Sequence, residues 1–279
     1  MSGYTAAILT ILAINLIAAY AAWLPLAAGQ VNLGTAGFMA TGAYASAVLS
    51  NEFDWPLWGA IGAGALAAGL LAVVIGAAVL RTRGLYLALA TLAFNEVVRG
   101  VLINLEVVGG AAGYPVIGYV GLLPIALCAG GVFLLALWLS ASRLGMTLHA
   151  IEQDETMSGL FGVHVPLTQL AAFAIGAVLA GLAGGLYGHH FSFVEGQHFS
   201  VLLSVTIVLS VVLGGTQTVW GPAIGAAFFT LLPELFRGAE GWRYVLFAAA
   251  VILVMAVRPQ GVVTRGMLRR AMFPRRRAA

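Results

Sequence analysis

The sequence of 279 residues contains no lysine, one cysteine, and little charge of either sign. Each shortage excludes something. A phosphate-cradling GxxxxGK[ST] loop needs its lysine, so this chain does not hydrolyse ATP by that route. Schiff-base chemistry on retinal or pyridoxal requires a lysine amine and is excluded on the same ground. Cys128 stands alone, so no disulfide forms within the chain. Charged residues make up 8% of the chain, against roughly 25% in soluble domains. Alternation of apolar and polar residues at period 2 is also missing, which argues against a barrel.

What fills the chain is apolar: 61% of residues are hydrophobic. No charge occurs over 1–51, 55–80, 107–142, 156–194 or 196–233. A helix crosses a bilayer with about 20 apolar residues. Breaks at glycine, proline and charge clusters give spans near 4–26, 32–50, 56–80, 84–105, 116–139, 167–188, 198–214, 219–236 and 243–257. The expectation is an all-α, polytopic transmembrane helical bundle of about nine spans (eight to ten), with a short cytoplasmic coupling helix. The first charge is Glu52, so the N-terminus lacks the basic region of a signal peptide and its first segment is expected to remain as a span.

All thirteen positive residues are arginine, and seven of them (Arg258, Arg265, Arg269, Arg270, Arg275, Arg276 and Arg277) follow the last span. Beside a membrane span such a tail reads as cytoplasmic anchoring rather than nucleic-acid binding. It can also meet anionic lipid headgroups, with Met267, Leu268, Met272 and Phe273 dipping into the interface. Nine alternating spans then place Arg81, Arg83 and Arg143 inside and Glu52 and Asp54 outside, with Arg237 and Arg243 flanking Glu240 in a short outer turn.

Four stretches carry candidate chemistry. "GQVNLGTAGFMATGAY" (29–44) places Gln30, Asn32, Thr35 and Thr41 among glycines where a span is expected. Irregular backbone survives in hydrocarbon only against protein or a water-filled cavity. Small residues such as Gly34, Gly37 and Gly42 also permit close helix packing without any further role. "LGGTQTVWGPAIGAAFF" (213–229) repeats the pattern of a polar glycine break before a small-residue helix. Paired interrupted segments point to a central substrate site. The span "GLYLALATLAFNEVVRGVLINLE" holds Thr91, Asn95, Glu96, Arg99 and Asn104. Glu96 lies about 18 Å along the helix from Gly84, near mid-bilayer. It can pair with Arg99 on one face, as a structural ion pair or as a wall of a translocation path.

The longest polar stretch between spans is "SRLGMTLHAIEQDETMSGLFGVHVPLTQ" (142–169). Leu144, Leu148, Ile151 and Phe161 recur at helical spacing, and Gly162 with Pro166 suits a helix stop. It reads either as an interfacial helix or as one that docks a soluble partner. His189, His190, Glu195 and His198 fit no standard metal spacing and fall in an expected outer loop.

In this order and over nearly the whole chain, the segments resemble the LivM-like permease subunits of branched-chain amino acid ABC importers. "GQVNLGTAGFMATGAY", "GLYLALATLAFNEVVR", "GG" at 109–110 with Gly113, residues 143–188, "LGGTQTVWGPAIGAAFF" and "RPQGVV" (258–263) carry the resemblance. It implies a non-catalytic permease of the bacterial cytoplasmic (inner) membrane, its C-terminus cytoplasmic, that moves branched-chain or related amino acids. Residues 1–257 would form the transmembrane domain and 258–279 the basic cytoplasmic tail. Implied partners are a second homologous permease, two ATP-binding cassette ATPases, an extracytoplasmic solute-binding protein and the lipid bilayer. No cofactor is expected on this chain, ATP being used by the partner subunits.

By position, 143–162 matches the cytoplasmic EAA-type loop, with Arg143, Ile151, Asp154, Glu155 and Gly162 as coupling candidates. His149 and Gln153 stand where such loops usually carry arginine, and Thr156, Met157 and Ser158 where they carry alanine. Asn32 and Thr35 also depart from the family's usual residues. The path is expected to be lined or shaped by Gln30, Asn32, Thr35 and Thr41, with Asn95, Glu96 and Arg99 behind or beside them. The rival is a stand-alone facilitator or channel for small neutral solutes such as urea or amides. A membrane-embedded enzyme using the histidine cluster is a third reading.

Overall fold

The computed structural model describes residues 3–236, 243–258 and 261–263. Arg237, Glu240, the side chain of Arg243 and the tail arginines from Arg265 onward lie outside them, and with them the expected outer turn and the tail beyond 263. Helices form almost everything described. In chain order they are α1 (Gly3–Leu26), α2 (Thr35–Glu52), α3 (Leu57–Val79), α4 (Leu85–Asn104), α5 (Leu122–Ala141), α6 (Arg143–Gln153), α7 (Glu155–Leu160), α8 (Val165–Phe191), α9 (Val201–Gly214), α10 (Trp220–Leu235) and α11 (Arg243–Val257). Two short antiparallel strands, β1 (Tyr114–Pro115) and β2 (Phe193–Val194), join the α4–α5 and α8–α9 connections.

Each expected span corresponds to a helix, but their lengths differ. Among the described residues, five helices (α1, α3, α4, α5 and α8) are long and apolar enough to cross a membrane. The rest are shorter or more polar: α9 has 14 residues, α10 has 16, and α2 carries Thr35, Thr41, Ser46, Ser50 and Asn51. At 1.5 Å per residue, α9 extends only about 21 Å, less than a hydrocarbon core of about 30 Å. The chain is thus a multi-pass helical bundle that combines span-length helices with shorter ones.

The centre is α8, about 40 Å long at helical rise, packed between α1, α2 and α3. Small residues set that packing. A Cβ on Gly42 would strike the backbone of Gly181, one on Gly184 the backbone of Met39, and one on Gly176 the carbonyl of Ala21. Without a hydrophobic drive between helices in lipid, close backbone approach through small residues supplies the contact energy. Phe38 adds an apolar plug, stacked near Phe94 and edge-on to Phe173. The packing account of the glycines in 29–44 therefore holds for Gly42.

The expected single helix over 143–162 is two. Asp154 leaves helical geometry, at φ −156° and ψ 107°, and its carboxylate accepts from the Met157 amide at 2.9 Å. An Asp side chain that can cap the next helix competes with continuing the first. Leu148 and Ile151 are buried as the periodicity requires, but Phe161, counted on the same stripe, is 87% exposed because the break at Asp154 resets the helical phase. Gly162, at φ +86°, ends α7 in left-handed geometry that suits glycine. A second departure concerns His189 and His190, which occupy the last turn of α8 rather than a loop.

Candidate functional site

The two glycine-rich breaks are joined through α1. The first, 27–34, follows α1; the second, 215–219, separates α9 from α10. The last turns of α1 tie them together, since Trp23 Nε1 donates to the Thr216 carbonyl and Tyr20 Oη to the Val219 carbonyl, both at 2.8 Å. Gly221, Gly225 and Gly261 let α10 and the 261–263 segment press onto the end of α9, where a Cβ would collide with backbone. Val262 and Val263 donate amides to the Leu213 and Gly214 carbonyls, so residues 261–263 of "RPQGVV" close the second break.

The first break sinks into the bundle. Gly29 lies close to Glu152, yet Leu33 donates its amide to Thr91 Oγ1 at 3.0 Å. Thr91 is six residues, about 9 Å, inside α4. Asn32 Oδ1 accepts from the Gly34 amide at 2.8 Å, and Ser204 Oγ from the Ala36 amide at 2.8 Å. Irregular chain at depth is therefore satisfied by side chains from α4 and α9, as backbone in hydrocarbon requires. Gly34 and Gly37 sit in tight packing, where added Cβ atoms would lie 3.0–3.3 Å from atoms of Phe94, Thr91 and Asn95.

The α8–α9 connection descends from the opposite end to the same level. Asn95 is fully buried, and its Nδ2 donates to the Phe199 carbonyl at 3.3 Å while its Oδ1 lies 3.5 Å from Ser204 Oγ. Asn95 sits midway along α4, so α2 and α9 both begin near mid-bundle, with Asn32, Thr35, Thr91, Asn95 and Ser204 buried between them. Thr35 Oγ1 has no hydrogen-bond partner there. Helix N-termini carry partial positive charge. The cluster thus presents two positive helix ends and neutral polar groups.

The expected path residues do not form one line. Asn32, Thr35 and Asn95 are together in this cluster. Thr41 donates to the Gly37 carbonyl of its own helix. Gln30 faces a separate cavity beside 143–155. Glu96 and Arg99 form the ion pair that their spacing suggests, Arg99 Nη2 and Nε lying 2.7 and 3.0 Å from Glu96 Oε2. That pair is on the outer side of α4, the two side chains being 38% and 35% exposed in this chain alone. Thr91, one of the polar residues noted in its span, and Ser204, which the sequence did not single out, are the side chains that hold the first break, and only the fold brings Ser204 to α2.

Of the coupling candidates, Ile151 is buried, Asp154 caps α7, and Glu155 accepts a 3.0 Å ion pair from Arg83. Arg143, the first residue of α6, and Gly162 are exposed. The outward face of this region belongs to Met157, Leu160 and Phe161, 54%, 77% and 87% exposed, none of which was a coupling candidate. Their signal was three large apolar side chains in the most polar connection.

At the other end a small folded cap joins the 105–121 and 192–200 connections. Asn51 donates to the Pro115 carbonyl and accepts from the Ile117 amide, and Tyr114 Oη donates to Glu52 at 2.9 Å. Burial and then the Glu52 carboxylate raise the Tyr114 phenol above its usual range. His189 and His190 bond the Gly118 and Val120 carbonyls through Nδ1. Those imidazoles brace the cap, and among the described residues no three His, Cys, Asp or Glu side chains gather as metal ligands.

A bundle of full spans with two interrupted segments and a mid-depth polar cluster defines the class of membrane transport proteins built on broken helices. Comparison by sequence is more specific: residues 4–257 match the branched-chain amino acid transport system permease component family, and the chain belongs to it. It is 29% identical over 271 residues to the high-affinity branched-chain amino acid transport system permease protein LivM of Escherichia coli K12, covering 84% of this chain and 64% of that relative. The match therefore spans less than two thirds of LivM. The LivH permease of the same strain is 27% identical over 133 residues, 47% of this chain and 43% of LivH. The autoinducer 2 import system permease LsrC of Enterobacter sp. strain 638 is 30% identical over 167 residues, 57% of this chain and 47% of LsrC. No solved structure matches the chain.

Proposed function

We propose that the chain is the membrane-spanning, non-catalytic permease subunit of an ABC importer for branched-chain or related amino acids. The observation that carries this reading is the convergence of the α2 and α9 N-termini on Asn32, Thr35, Asn95 and Ser204 inside a chain of this family. Positive helix ends at mid-depth suit the carboxylate of an amino acid, and buried neutral side chains suit its amine. The relatives are named for branched-chain amino acid transport, and one for autoinducer 2 import, so an aliphatic amino acid is the first substrate to test.

The path runs along the α4 face of this chain, against a second homologous permease. An ion pair half exposed at mid-span would be costly against lipid, and a partner permease or a water-filled path removes that cost for Glu96 and Arg99. Nine spans put the 143–162 connection and the 258–279 tail in the cytoplasm of a bacterial inner membrane. There α7 presents Met157, Leu160 and Phe161 to one of two ATPases, which use the ATP. The opposite cap, where Glu52, Asp54, Glu106 and Glu195 are exposed, receives the loaded solute-binding protein. Docking outside and ATP-driven closure inside bias the two states of the path through these separate contacts.

The test is copurification in mild detergent together with leucine uptake in cells. Wild type is expected to recover ATPase subunits. Leu160→Asp with Phe161→Asp is expected to lose them and uptake while remaining in the membrane, because both side chains are exposed. A wild-type chain that comes alone and still equilibrates leucine would make it a stand-alone facilitator instead.

A further inference from the structure

A second cavity lies apart from the mid-bundle cluster. It holds about 270 Å³ and opens where the α1–α2 connection, the α3–α4 turn and α6–α7 meet. A water occupies about 30 Å³ in the liquid, so the space is several times what one water fills. Its wall has two characters. Leu80, Leu87 and Ile151 give an apolar side, while Gln30, Arg83 and Glu152 give a polar one. Gln30 is only 3% exposed, and its Oε1 is buried without a hydrogen-bond partner. An unsatisfied buried acceptor costs about 1–3 kcal/mol, a cost that a donor brought by a ligand would remove.

The polar groups ask for opposite charges on one molecule. Gln30 Oε1 is an unpaired acceptor, and the Glu152 carboxylate, whose Oε2 lies 3.0 Å from His149 Nδ1, keeps further lone pairs for a donor, so together they call for an ammonium group. Arg83 is bonded to Glu155 through Nη2, yet its side chain is 79% exposed. A guanidinium has five N–H donors, so Arg83 keeps donors for a carboxylate. Leu80, Leu87 and Ile151 then receive an aliphatic side chain.

We propose that this cavity is a binding site for a free aliphatic α-amino acid, separate from the transport cluster and built between the α1–α2 break and the α6–α7 segment. It rests on the reading of the chain as an amino acid permease, and adds that the solute is also sensed at the end that bears α7. Because Gln30 belongs to the break and Glu152 to α6, a bound amino acid links the two. Occupancy holds α6 in place against the break, so the site reports solute accumulated on that side to the segment that meets the ATPase.

The experiment is equilibrium binding of radiolabelled L-leucine to the purified full chain in nanodiscs, with leucine uptake measured in cells in parallel. Saturable binding is expected for wild type. Arg83→Gln and Glu152→Gln, both at partly exposed side chains, are each expected to weaken it about tenfold, as loss of one charged hydrogen bond implies. Isoamylamine, leucine without its carboxylate, is expected to compete poorly and to be insensitive to Arg83→Gln. If isoamylamine competes as well as leucine, the cavity takes cations and the proposal falls. It also falls if leucine binding survives both variants but is lost in Asn95→Leu, which would place the ligand in the mid-bundle cluster. Absence of binding with normal uptake would overturn the cavity site alone. Binding that follows Arg83 and Glu152 in a chain that supports no uptake would overturn the permease reading and leave the site.

Discussion

Thr91 shows how much one hydroxyl does here. It is fully buried, accepts from the Leu33 amide, and donates to the Ala88 carbonyl three residues back in α4. Thr91→Val keeps the shape and removes the acceptor, leaving an amide of the first break unpaired at depth. The expected result is about 1–3 kcal/mol less stability in detergent, read by tryptophan fluorescence during unfolding, with Thr91→Ser close to wild type. Sequence alone could place Asn32, Thr35 and Asn95 as buried polar groups, because a polar side chain within an apolar span turns toward protein rather than lipid. It could not distinguish Thr91 from the many threonines that bond their own helix, as Thr41 does. That difference depends on which backbone arrives from elsewhere in the chain. Ser204, 168 residues from the amide it satisfies, was illegible for the same reason.

Among elements, helix positions were legible because composition changes sharply at their ends, and each expected span has its helix, though the one expected over 116–139 begins only at Leu122 because 116–121 belong to the cap. What the helices do at depth was less so. The polar glycine breaks were visible, yet the bonds of Tyr20 and Trp23 that tie the second break to α1, the helix leading into the first, were not, since both aromatics lie in an otherwise ordinary apolar helix. The break at Asp154 was hidden because an acidic residue fits the polar face of one long helix as well as the cap of a second. The pairing of the two breaks has a measurable consequence. Trp23→Phe removes the donor to the Thr216 carbonyl, and Tyr20→Phe the donor to the Val219 carbonyl. Each is expected to cost about 1 kcal/mol. The double variant is expected to increase hydrogen exchange of 215–219 and of 27–34 together, measured by mass spectrometry. Exchange confined to 215–219 would mean that the two breaks move independently.

The whole molecule is polar at its two ends in different ways. One end carries Arg81, Arg83, Arg143 and the α6–α7 segment, and the other carries Glu52, Asp54, Glu106 and Glu195 with the β1–β2 cap. The Arg83–Glu155 ion pair fixes the α3–α4 turn and α7 at a common end, as the arginine distribution in the sequence required. Arginine excess marks the cytoplasmic side of membrane proteins, so that end should face the cytoplasm. The chain makes this simple to test because Cys128, half-buried within α5, is its one thiol. In a Cys128→Ser background, Asp54→Cys and Phe161→Cys each place a thiol at an exposed position on opposite ends. A membrane-impermeant maleimide added to intact spheroplasts is expected to label the first and spare the second, with both labelled after lysis. Labelling of Phe161→Cys from outside would invert the bundle. The α7 surface could then not meet an ATPase, and the amino acid cavity beside α6 would face the medium instead of the accumulated solute.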